Sequence, residues 1–389
     1  MREVVIVSAV RSAVGKGKVG GALANVHAVE LSGHMMKAAV EKVGVDPLII
    51  DDVVWGCAMP EASQGLNIAR LAWLRAGLPV DVPAATVNRF CSSGLQTIAF
   101  GAQEILSDMA DVVLAGGVEM MSQVPMSGYH TRLDPEITES YIGMGFTAER
   151  VAQRWNVSRD EQDKWALGSQ QKATKALANG AFDSQITPVT VEAVTWKGSE
   201  KTTKTASFVK DELPRPETTI EGLAKLRPAF KVGGTVTAGN ASPYSDGAAG
   251  VLLMTADKAK ELGLKPLARF ITFATAGVDP DIMGVGPIKA VPKALKRAGV
   301  SLNDVKLIEF NEAFAAQVVA VVKDLQMDPD KVNVNGGAIA LGHPLGATGA
   351  KLTTQLIHEL GTRGGGTGLV TMCIGGGMGA AGLFEVYAS

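Results

Sequence analysis

The spacing of apolar residues predicts a helix followed by a strand, and this pair occurs twice in the chain. Residues 36–54 place apolar side chains on one helical face and continue through a Gly-Val pair and a polar turn into a strand. Residues 288–308 repeat this order and end in a predicted strand at 304–308. Each copy belongs to a half of the chain that begins with a further apolar run, at 4–7 and at 269–273, and each run predicts a strand.

The pattern continues beyond these pairs and predicts a fold class. In the first half, residues 87–88 lead through a glycine-containing turn into a helix and a strand at 111–115. In the second half, residues 334–335 lead through a glycine-rich turn into a helix and a strand at 368–372. Two copies of this unit predict an α/β protein of two pseudo-symmetric halves whose strands pair mostly in parallel. The alternative is that two ordinary α/β halves resemble each other by chance.

Residues 119–245 break the repeat and predict an inserted domain. Ser158 and Glu161 have the spacing of a capping box, which begins a long helix that ends near Asn179. Residues 197–216 are rich in Lys, Thr and Pro and predict a loop. An insertion of this length is typical of a segment that covers a substrate. The predicted domains are 1–118 together with 246–267, the insertion 119–245, and 268–389.

Composition and charge narrow the function. The chain has 389 residues, of which 46% are hydrophobic and 20% charged, and its formal net charge is −2. This balance gives no basic surface for nucleic acid or an anionic membrane. No apolar stretch reaches membrane-spanning length, and the apolar run at 4–7 leaves no room for a leader peptide, so we expect a cytoplasmic protein.

Cysteine usage agrees with that expectation. Cys57, Cys91 and Cys373 are an odd number without the spacing of a disulfide framework, which suits a reducing compartment. No CxxC pair or His-Cys cluster offers a zinc site, so no metal is expected.

Cys91 is the first candidate for chemistry. It lies in the segment 88–94, immediately before an apolar helical stripe. At a helix N-terminus, free amides and the positive end of the helix dipole are expected to lower the pKa of the thiol. Such a turn also presents a nucleophile and backbone N–H groups to one point. The alternative is a buried structural cysteine.

Three further candidates follow in the second half of the chain. His343, between Gly342 and Pro344, heads the helix that corresponds to the one after Cys91 and is a candidate base, although a lone histidine is more often structural. Cys373 ends a strand before a glycine-rich turn and is a candidate second acid or base. Asn311 follows a strand, where it could orient a water or serve only as a helix cap.

Taken together, the segments 88–94, 311–314, 342–344 and 373–377 resemble those of thiolases, and the likeness runs along nearly the whole chain. The resemblance implies a layered αβαβα fold with two mixed-sheet halves and an inserted loop domain. It implies that Cys91 accepts the acyl group, His343 is its base and Cys373 moves the proton at the α-carbon. It also implies two oxyanion holes, one from His343 with a water on Asn311 and one from the amides of Cys91 and Gly375.

The insertion resembles the thiolase loop domain that holds coenzyme A. Residues 223–230 and 239–242 match segments that contact pantetheine, and Arg215 falls near the adenine nucleotide. From the residues alone, Leu226 and Phe230 are expected in the core. The substrate and CoA contacts implied by the resemblance are Arg215, Leu226, Ala229, Phe230, Ala238, Ser242, Met144, Ala313 and Phe314. Coenzyme A is then a substrate alongside acyl-CoA, with no tightly bound cofactor, in a homodimer or homotetramer.

One segment departs from part of the family. Acetoacetyl-specific members carry a His-Met pair beside a short acyl pocket, whereas this chain has Gly143, Met144 and Gly145. The missing imidazole favours a longer acyl tail and a broad 3-ketoacyl-CoA thiolase. An acetoacetyl-CoA-specific acetyltransferase is the alternative.

Other classes fit the sequence less well. Residues 15–20 satisfy GxGxxG but lie apart from the preceding strand and lack the following acidic residue of a nicotinamide-binding fold. The local signature of a cysteine protease is absent. A non-catalytic, lipid-carrying relative is disfavoured because Cys91, His343 and Cys373 are all retained.

Overall fold

The computed structural model describes residues 2–124 and 133–389. Its strands are β1 Val4–Arg11, β2 Gly15–Lys16, β3 Asp52–Cys57, β4 Ala84–Val87, β5 Val112–Met120, β6 Val189–Lys197, β7 Glu200–Phe208, β8 Ser245–Thr255, β9 Ala268–Gly277, β10 Leu307–Phe310, β11 Gly366–Ile374 and β12 Met378–Val386. Its α-helices are α1 Ala28–Glu41, α2 Ile68–Arg75, α3 Ser93–Leu106, α4 Met144–Arg154, α5 Arg159–Ala178, α6 Ile220–Ala224, α7 Ala256–Glu261, α8 Gly286–Ala298, α9 Ala315–Asp324, α10 Ala338–Leu341 and α11 Leu345–Thr362.

Within the described residues, ten strands form one mixed sheet in the order β10-β11-β12-β9-β1-β8-β5-β3-β4, with β2 paired to β8. The two halves meet where β1 pairs with β9 through Val5 with Arg269 and Ile6 with Ala268. Only β3 with β4, β3 with β5, and β10 with β11 pair in parallel within this sheet. The mixed sheet is confirmed, but the expectation of mostly parallel pairing is wrong. Tight connections such as the one from β11 to β12 make antiparallel neighbours, and local apolar periodicity does not encode strand direction.

The core residues divide the molecule into five layers. Along β1, Val5 and Val7 contact the apolar cluster that contains α1 and α2, whereas Val4 and Ile6 face the cluster of α3 and α11. That second cluster includes strands of both halves, so α3 and α11 lie between the two sections of sheet. A third cluster covers the outer face of the second half with α8 and α9. The order is therefore αβαβα, as the resemblance implied.

The repeated helices agree with the prediction, but the second copy differs in its strands. Residues 302–304 form a 3-10 turn that Ser301 caps, so β10 begins at Leu307 rather than at 304. The segment that leads into α10 pairs with β10 through one bridge, from Val332 to Ile308, rather than as a strand like β4 of the first half. Asn333 adopts a φ of 48°, which takes the backbone out of the extended conformation after that single bridge.

In the insertion, the capping box of Ser158 and Glu161 is present and α5 follows it to Ala178. The predicted loop at 197–216 is wrong over Glu200–Phe208, which pairs with β6 as a two-stranded hairpin. Residues 202–207 are exposed, so this strand needs no apolar alternation and its Lys and Thr composition resembles that of a loop. The limits 119–245 of the inserted domain stay a prediction. None of the helices in the described part of the chain is long and apolar enough to cross a membrane.

Candidate active site

A strand-to-helix turn holds Cys91 at the N-terminus of α3. Asn88 accepts a hydrogen bond from the amide of Phe90 at 2.8 Å. The Ser93 hydroxyl accepts from the amide of Arg89 at 2.9 Å and donates to the carbonyl of Phe90 at 2.7 Å. Phe90 has a φ of 44°, an unusual value for a bulky residue that active-site turns often show. The turn therefore fixes the thiol, which is 9% exposed.

The electrostatic surroundings of Cys91 differ from the prediction. Burial, with a smaller contribution from the carboxyl of Glu119, raises the pKa of the thiol to about 11 in spite of the hydrogen bonds from the amides of Gly375 and Cys91, which lower it. The expected lowering of the pKa at the helix N-terminus is wrong because desolvation disfavours the thiolate more than the amides stabilise it. The thiol is protonated at neutral pH.

His343 is held in one tautomer. Its Nδ1 lies 2.6 Å from Oγ1 of Thr348, and that hydroxyl donates its one proton to the carbonyl of Pro344 at 3.0 Å. Thr348 must therefore accept from Nδ1–H, which leaves Nε2 with a lone pair. Nε2 lies 3.3 Å from Nδ2 of Asn311, a donor that matches this lone pair. Burial, together with the charge of Lys351, lowers the pKa of His343 to about 3, so the imidazole is neutral.

Cys373 lies near the end of β11 and is fully buried. Burial and the neighbouring Cys91 raise the pKa of its thiol well above the ordinary value, so the structure places two protonated thiols side by side. Two residues later, the amide of Gly375 hydrogen-bonds the sulfur of Cys91. Immediately after the adjacent strand β10, Asn311 is tied to β11 by its amide, which donates to the carbonyl of Thr371 at 3.0 Å.

The two helices that follow Cys91 and His343 cross at glycines. A Cβ on Gly94 of α3 would lie 2.9 Å from the carbonyl oxygen of Gly346, and one on Gly349 of α11 would lie 2.1 Å from the amide nitrogen of Leu95. Only glycine permits this approach, which brings the Cys91 turn against the start of α11. The structure thus gathers Cys91, His343, Cys373, Asn311 and Gly375 into one site.

The predicted acyl contacts adjoin this site. Met144, Ala313 and Phe314 belong to the apolar cluster that also contains Cys373. The amide of Ser242 donates to the carbonyl of Ala313 at 3.0 Å, which places the 239–242 turn against the same segment.

An aromatic row leads outward from Phe314. Its ring lies 6.1 Å from that of Phe230, which lies 6.3 Å from that of Phe146, both edge-on. Leu226 is 38% and Phe230 36% exposed, so the expectation that these two are core residues is wrong. They lie in a short segment of the insertion that forms little secondary structure and leaves apolar side chains in solvent.

The other predicted CoA contacts are exposed and lie in the insertion. Ala229 and Ala238 lie on two short segments that pair with each other. The amide of Ala229 donates to the carbonyl of Val236 at 2.9 Å. Arg215 is apart from them. Its amide donates to Gln170 at 2.8 Å, and its side chain is exposed.

Two buried residues that contact the site or the segments leading into it were missed at the level of the sequence. Thr348, five residues after His343, sets the tautomer, and its position on the first turn of the predicted helix was the available signal. Glu312 lies inside the Asn-Glu-Ala-Phe motif and is buried among four donors. Among the residues that the structure describes, no group of three or more His, Cys, Asp or Glu side chains is arranged to hold a metal ion.

Comparisons with known proteins match both halves of the chain to one family. Residues 4–257 match the N-terminal domain of thiolase, and residues 264–386 match its C-terminal domain. A 3-ketoacyl-CoA thiolase of Bacillus subtilis (strain 168) is 54% identical over 392 residues, covering 99% of this chain and 100% of that protein. An acetyl-CoA acetyltransferase of Chromobacterium violaceum is 47% identical over 395 residues, covering 97% of this chain and 98% of that protein.

Solved structures give the same result. The acetyl-CoA acetyltransferase of Bacillus anthracis superposes with a TM-score of 0.90 at 44% identity, covering 99% of both chains. Human mitochondrial 3-ketoacyl-CoA thiolase superposes with a TM-score of 0.90 at 42% identity, covering 100% of this chain and 99% of that one. These likenesses do not support a non-catalytic relative. The chain belongs to the thiolase family and is an acyltransferase for thiolytic cleavage of 3-ketoacyl-CoA or the reverse condensation.

Proposed function

We propose that Cys91 carries the acyl group and that His343 and Cys373 move the protons. In cleavage, Nε2 of His343 takes the thiol proton while the sulfur of Cys91 attacks the 3-keto carbon. The bond between C2 and C3 then breaks, the electron pair remains on C2, and the thiol of Cys373 protonates it to release acetyl-CoA. The Cys373 thiolate then takes the proton of a second CoA thiol, whose sulfur attacks the acyl-cysteine. The bond between the acyl carbon and the sulfur of Cys91 breaks, and Cys91 takes its proton back from His343, which restores all three side chains. The observation that carries this proposal is the neutral His343, whose Nε2 is left with a lone pair by Thr348.

Two sets of donors stabilise the oxyanions in this scheme. After proton uptake, Nε2–H of His343 donates to one oxyanion together with a water on Asn311. Oδ1 of Asn311 is buried and has no hydrogen-bond partner among the described residues, so it is available to accept from that water. The amides of Cys91 and Gly375 already converge on the sulfur and serve the second oxyanion.

The proposed substrate range is broad. Gly143 has a φ of −65°, and a Cβ there would meet only the ring of Phe146, at 3.4 Å. The position therefore accepts a side chain without backbone strain, and glycine there leaves room beside Met144 for an acyl tail longer than four carbons. A strictly acetoacetyl-CoA-specific enzyme is the second candidate, because relatives at 47% identity are named acetyl-CoA acetyltransferases.

Coenzyme A is proposed to bind along the insertion as a substrate, with no tightly bound cofactor. The exposed apolar side chains of Leu226 and Phe230 suit the pantetheine arm, with Ala229, Ala238 and Ser242 beside them. The exposed guanidinium of Arg215 suits the nucleotide phosphates.

The compartment, the pathway and the oligomeric state are each proposed from a separate feature. Cys57, Cys91 and Cys373 are all free thiols, which suits a reducing cytoplasm. A role in β-oxidation is proposed because the relative at 54% identity is named a 3-ketoacyl-CoA thiolase. We propose a homodimer or homotetramer because β4 is an edge strand of the sheet. Leu66 and Val80, on the loops either side of α2 that precede β4, are 88% and 69% exposed and add apolar surface near that edge.

Two measurements test the proposal. Loss of enolate absorbance from acetoacetyl-CoA in the presence of CoA should report thiolysis by the wild type. Incubation with acetyl-CoA alone should add one acetyl group to the peptide that contains Cys91. An acetyl group on Cys57 or Cys373, with Cys91 unmodified, would overturn the assignment of the nucleophile.

A further inference from the structure

Glu312 is a buried carboxylate that the acyl-transfer scheme does not use. Its side chain belongs to a residue that is 1% exposed. Oε1 accepts from Nε1 of Trp165 at 3.0 Å and from Nδ2 of Asn333 at 2.9 Å. Oε2 accepts from Oγ of Ser169 at 2.6 Å and from the amide of Ile339 at 3.2 Å. Four donors use the acceptor capacity of the carboxylate, so its orientation is fixed from both sides.

These donors come from three separate segments. Trp165 and Ser169 lie one turn apart on α5, in the insertion. Asn333 cross-links the end of β10, where it accepts from the amide of Phe310 at 2.7 Å and donates to the carbonyl of the same residue at 2.8 Å. Ile339 lies on α10, four residues before His343. Glu312 therefore joins the insertion to both segments that lead into the site.

These segments support a weak hydrogen bond between the side chains of Asn311 and His343. Nδ2 of Asn311 lies 3.3 Å from Nε2 of His343, a long hydrogen bond that does not by itself hold two loops in register. On one side, the amide of Asn311 is tied to Thr371. On the other side, the next residue along the chain is Glu312, whose Oε2 holds the segment that leads to His343.

We propose that Glu312 is a positioning residue that keeps the side-chain amide of Asn311 aligned with Nε2 of His343. The proposal deepens the mechanism and rests on the roles proposed above for Asn311 and His343. Glu312 contacts neither substrate nor the reacting atoms, and it acts only through the position of Asn311.

The substitution Glu312→Gln keeps the shape of the side chain and reverses one end of it. If the carboxamide turns its NH2 group toward Trp165 and Asn333, it faces two donors. If it turns the NH2 group toward Ser169 and Ile339, the hydroxyl of Ser169 can rotate to accept, but the amide N–H of Ile339 remains a donor. Donor–donor contacts push these segments apart. A displacement of about 1 Å at a positioned group lowers turnover about 100-fold, so we expect kcat to fall about 10- to 100-fold.

A double-mutant cycle tests whether this fall passes through Asn311. Glu312→Gln, Asn311→Ala and the double variant are compared for kcat and for KM of CoA in thiolysis of acetoacetyl-CoA. If Glu312 acts through Asn311, Glu312→Gln should lower kcat at least 10-fold alone but less than about 3-fold in the Asn311→Ala background. KM for CoA should stay within about 3-fold.

Glu149 provides a matched control. It is another buried carboxylate, on α4, and accepts from the amides of Thr235 and Val236 at 2.8 to 3.0 Å. It has no contact with Asn311 among its described hydrogen bonds, so the effect of Glu149→Gln on kcat should be the same in both backgrounds. An equal effect of Glu312→Gln in both backgrounds, or no effect on kcat, would overturn the proposal.

Two further results keep the test interpretable. If Glu312→Gln does not fold, Trp165→Phe removes one of the four donors and keeps the carboxylate, and we expect a fall in kcat of about 3-fold that disappears in the Asn311→Ala background. An equal fall in both backgrounds counts against the proposal. A wild type without thiolysis, or an Asn311→Ala variant with wild-type kcat, would instead refute the mechanism on which the proposal rests.

Discussion

Thr348→Val should slow acylation of Cys91 by removing the group that sets the tautomer of His343. Valine has the shape of threonine, so the packing of α11 is preserved while the acceptor at 2.6 Å from Nδ1 is lost. A buried Nδ1–H without an acceptor costs about 1–3 kcal/mol, and the imidazole avoids that cost by carrying its proton on Nε2. Nε2 then has no lone pair with which to take the proton of Cys91.

The size of the effect follows from that free energy. Acylation must pass through the disfavoured tautomer, so about 1–3 kcal/mol corresponds to a rate about 5- to 150-fold lower. The assay is a single-turnover reaction with acetyl-CoA, quenched at intervals and followed by the mass of the intact protein. Thr348→Ser retains the hydroxyl and should restore most of the rate.

The same helix supplies the control. Thr354 is also fully buried, and its hydroxyl donates only to the carbonyl of Ala350, at 2.9 Å. Thr354→Val therefore makes the same chemical change without touching His343. Equal slowing in Thr354→Val and Thr348→Val, or acetylation of Thr348→Val at the wild-type rate, would refute the tautomer argument.

Three other changes give separate tests. Cys373→Ala should still be acetylated at Cys91 by acetyl-CoA but lose most cleavage and condensation; a folded variant that is not acetylated would contradict the division of roles. Gly143→His should lower kcat/KM on six- to eight-carbon substrates, where each buried CH2 contributes about 0.8 kcal/mol, and spare acetoacetyl-CoA; a wild type active only on four-carbon substrates would contradict the broad range. Burial lowers the pKa of His358 to about 4, so the unfolded chain binds a proton below pH 6.5 that the folded chain does not. The free energy of unfolding should therefore fall by about 2 kcal/mol between pH 6.5 and pH 5 through this group. Urea titrations at the two pH values should show a fall in unfolding free energy that is smaller by that amount in His358→Gln.

The sequence predicted those elements whose pattern is local. The helices α1, α3 and α8 follow from one apolar face each, and α5 follows from the capping box of Ser158. Strand direction was missed because an apolar run has the same pattern whether its neighbour is parallel or antiparallel. The hairpin strand β7 was missed because a strand with exposed side chains carries no apolar alternation.

In the candidate site, the motifs identified which residues meet but not their electrostatic state. The pKa of Cys91 depends on how much of the molecule covers it, and that quantity comes from packing of both halves rather than from the local helix. For Leu226 and Phe230 the burial itself was predicted wrongly, because their apolar character predicted core positions and the fold leaves them partly exposed. The motifs therefore predicted which side chains form the site more reliably than they predicted the burial and the pKa of those side chains.

The directions of the pKa shifts bear on how the site stays intact between turnovers. Burial raises the pKa of Cys91 to about 11 and lowers that of His343 to about 3, so the neutral thiol and neutral imidazole are the stable pair across the physiological range. Oxidants and alkylating agents react with the thiolate, and a protonated buried thiol is a poor target for them. In the proposed mechanism, the thiolate becomes favourable only when its negative charge passes to a substrate oxygen that the amides of Cys91 and Gly375 or the protonated His343 can stabilise. We therefore expect the reactivity of Cys91 to depend on the bound thioester, with the helix N-terminus contributing in that complex rather than in the free enzyme.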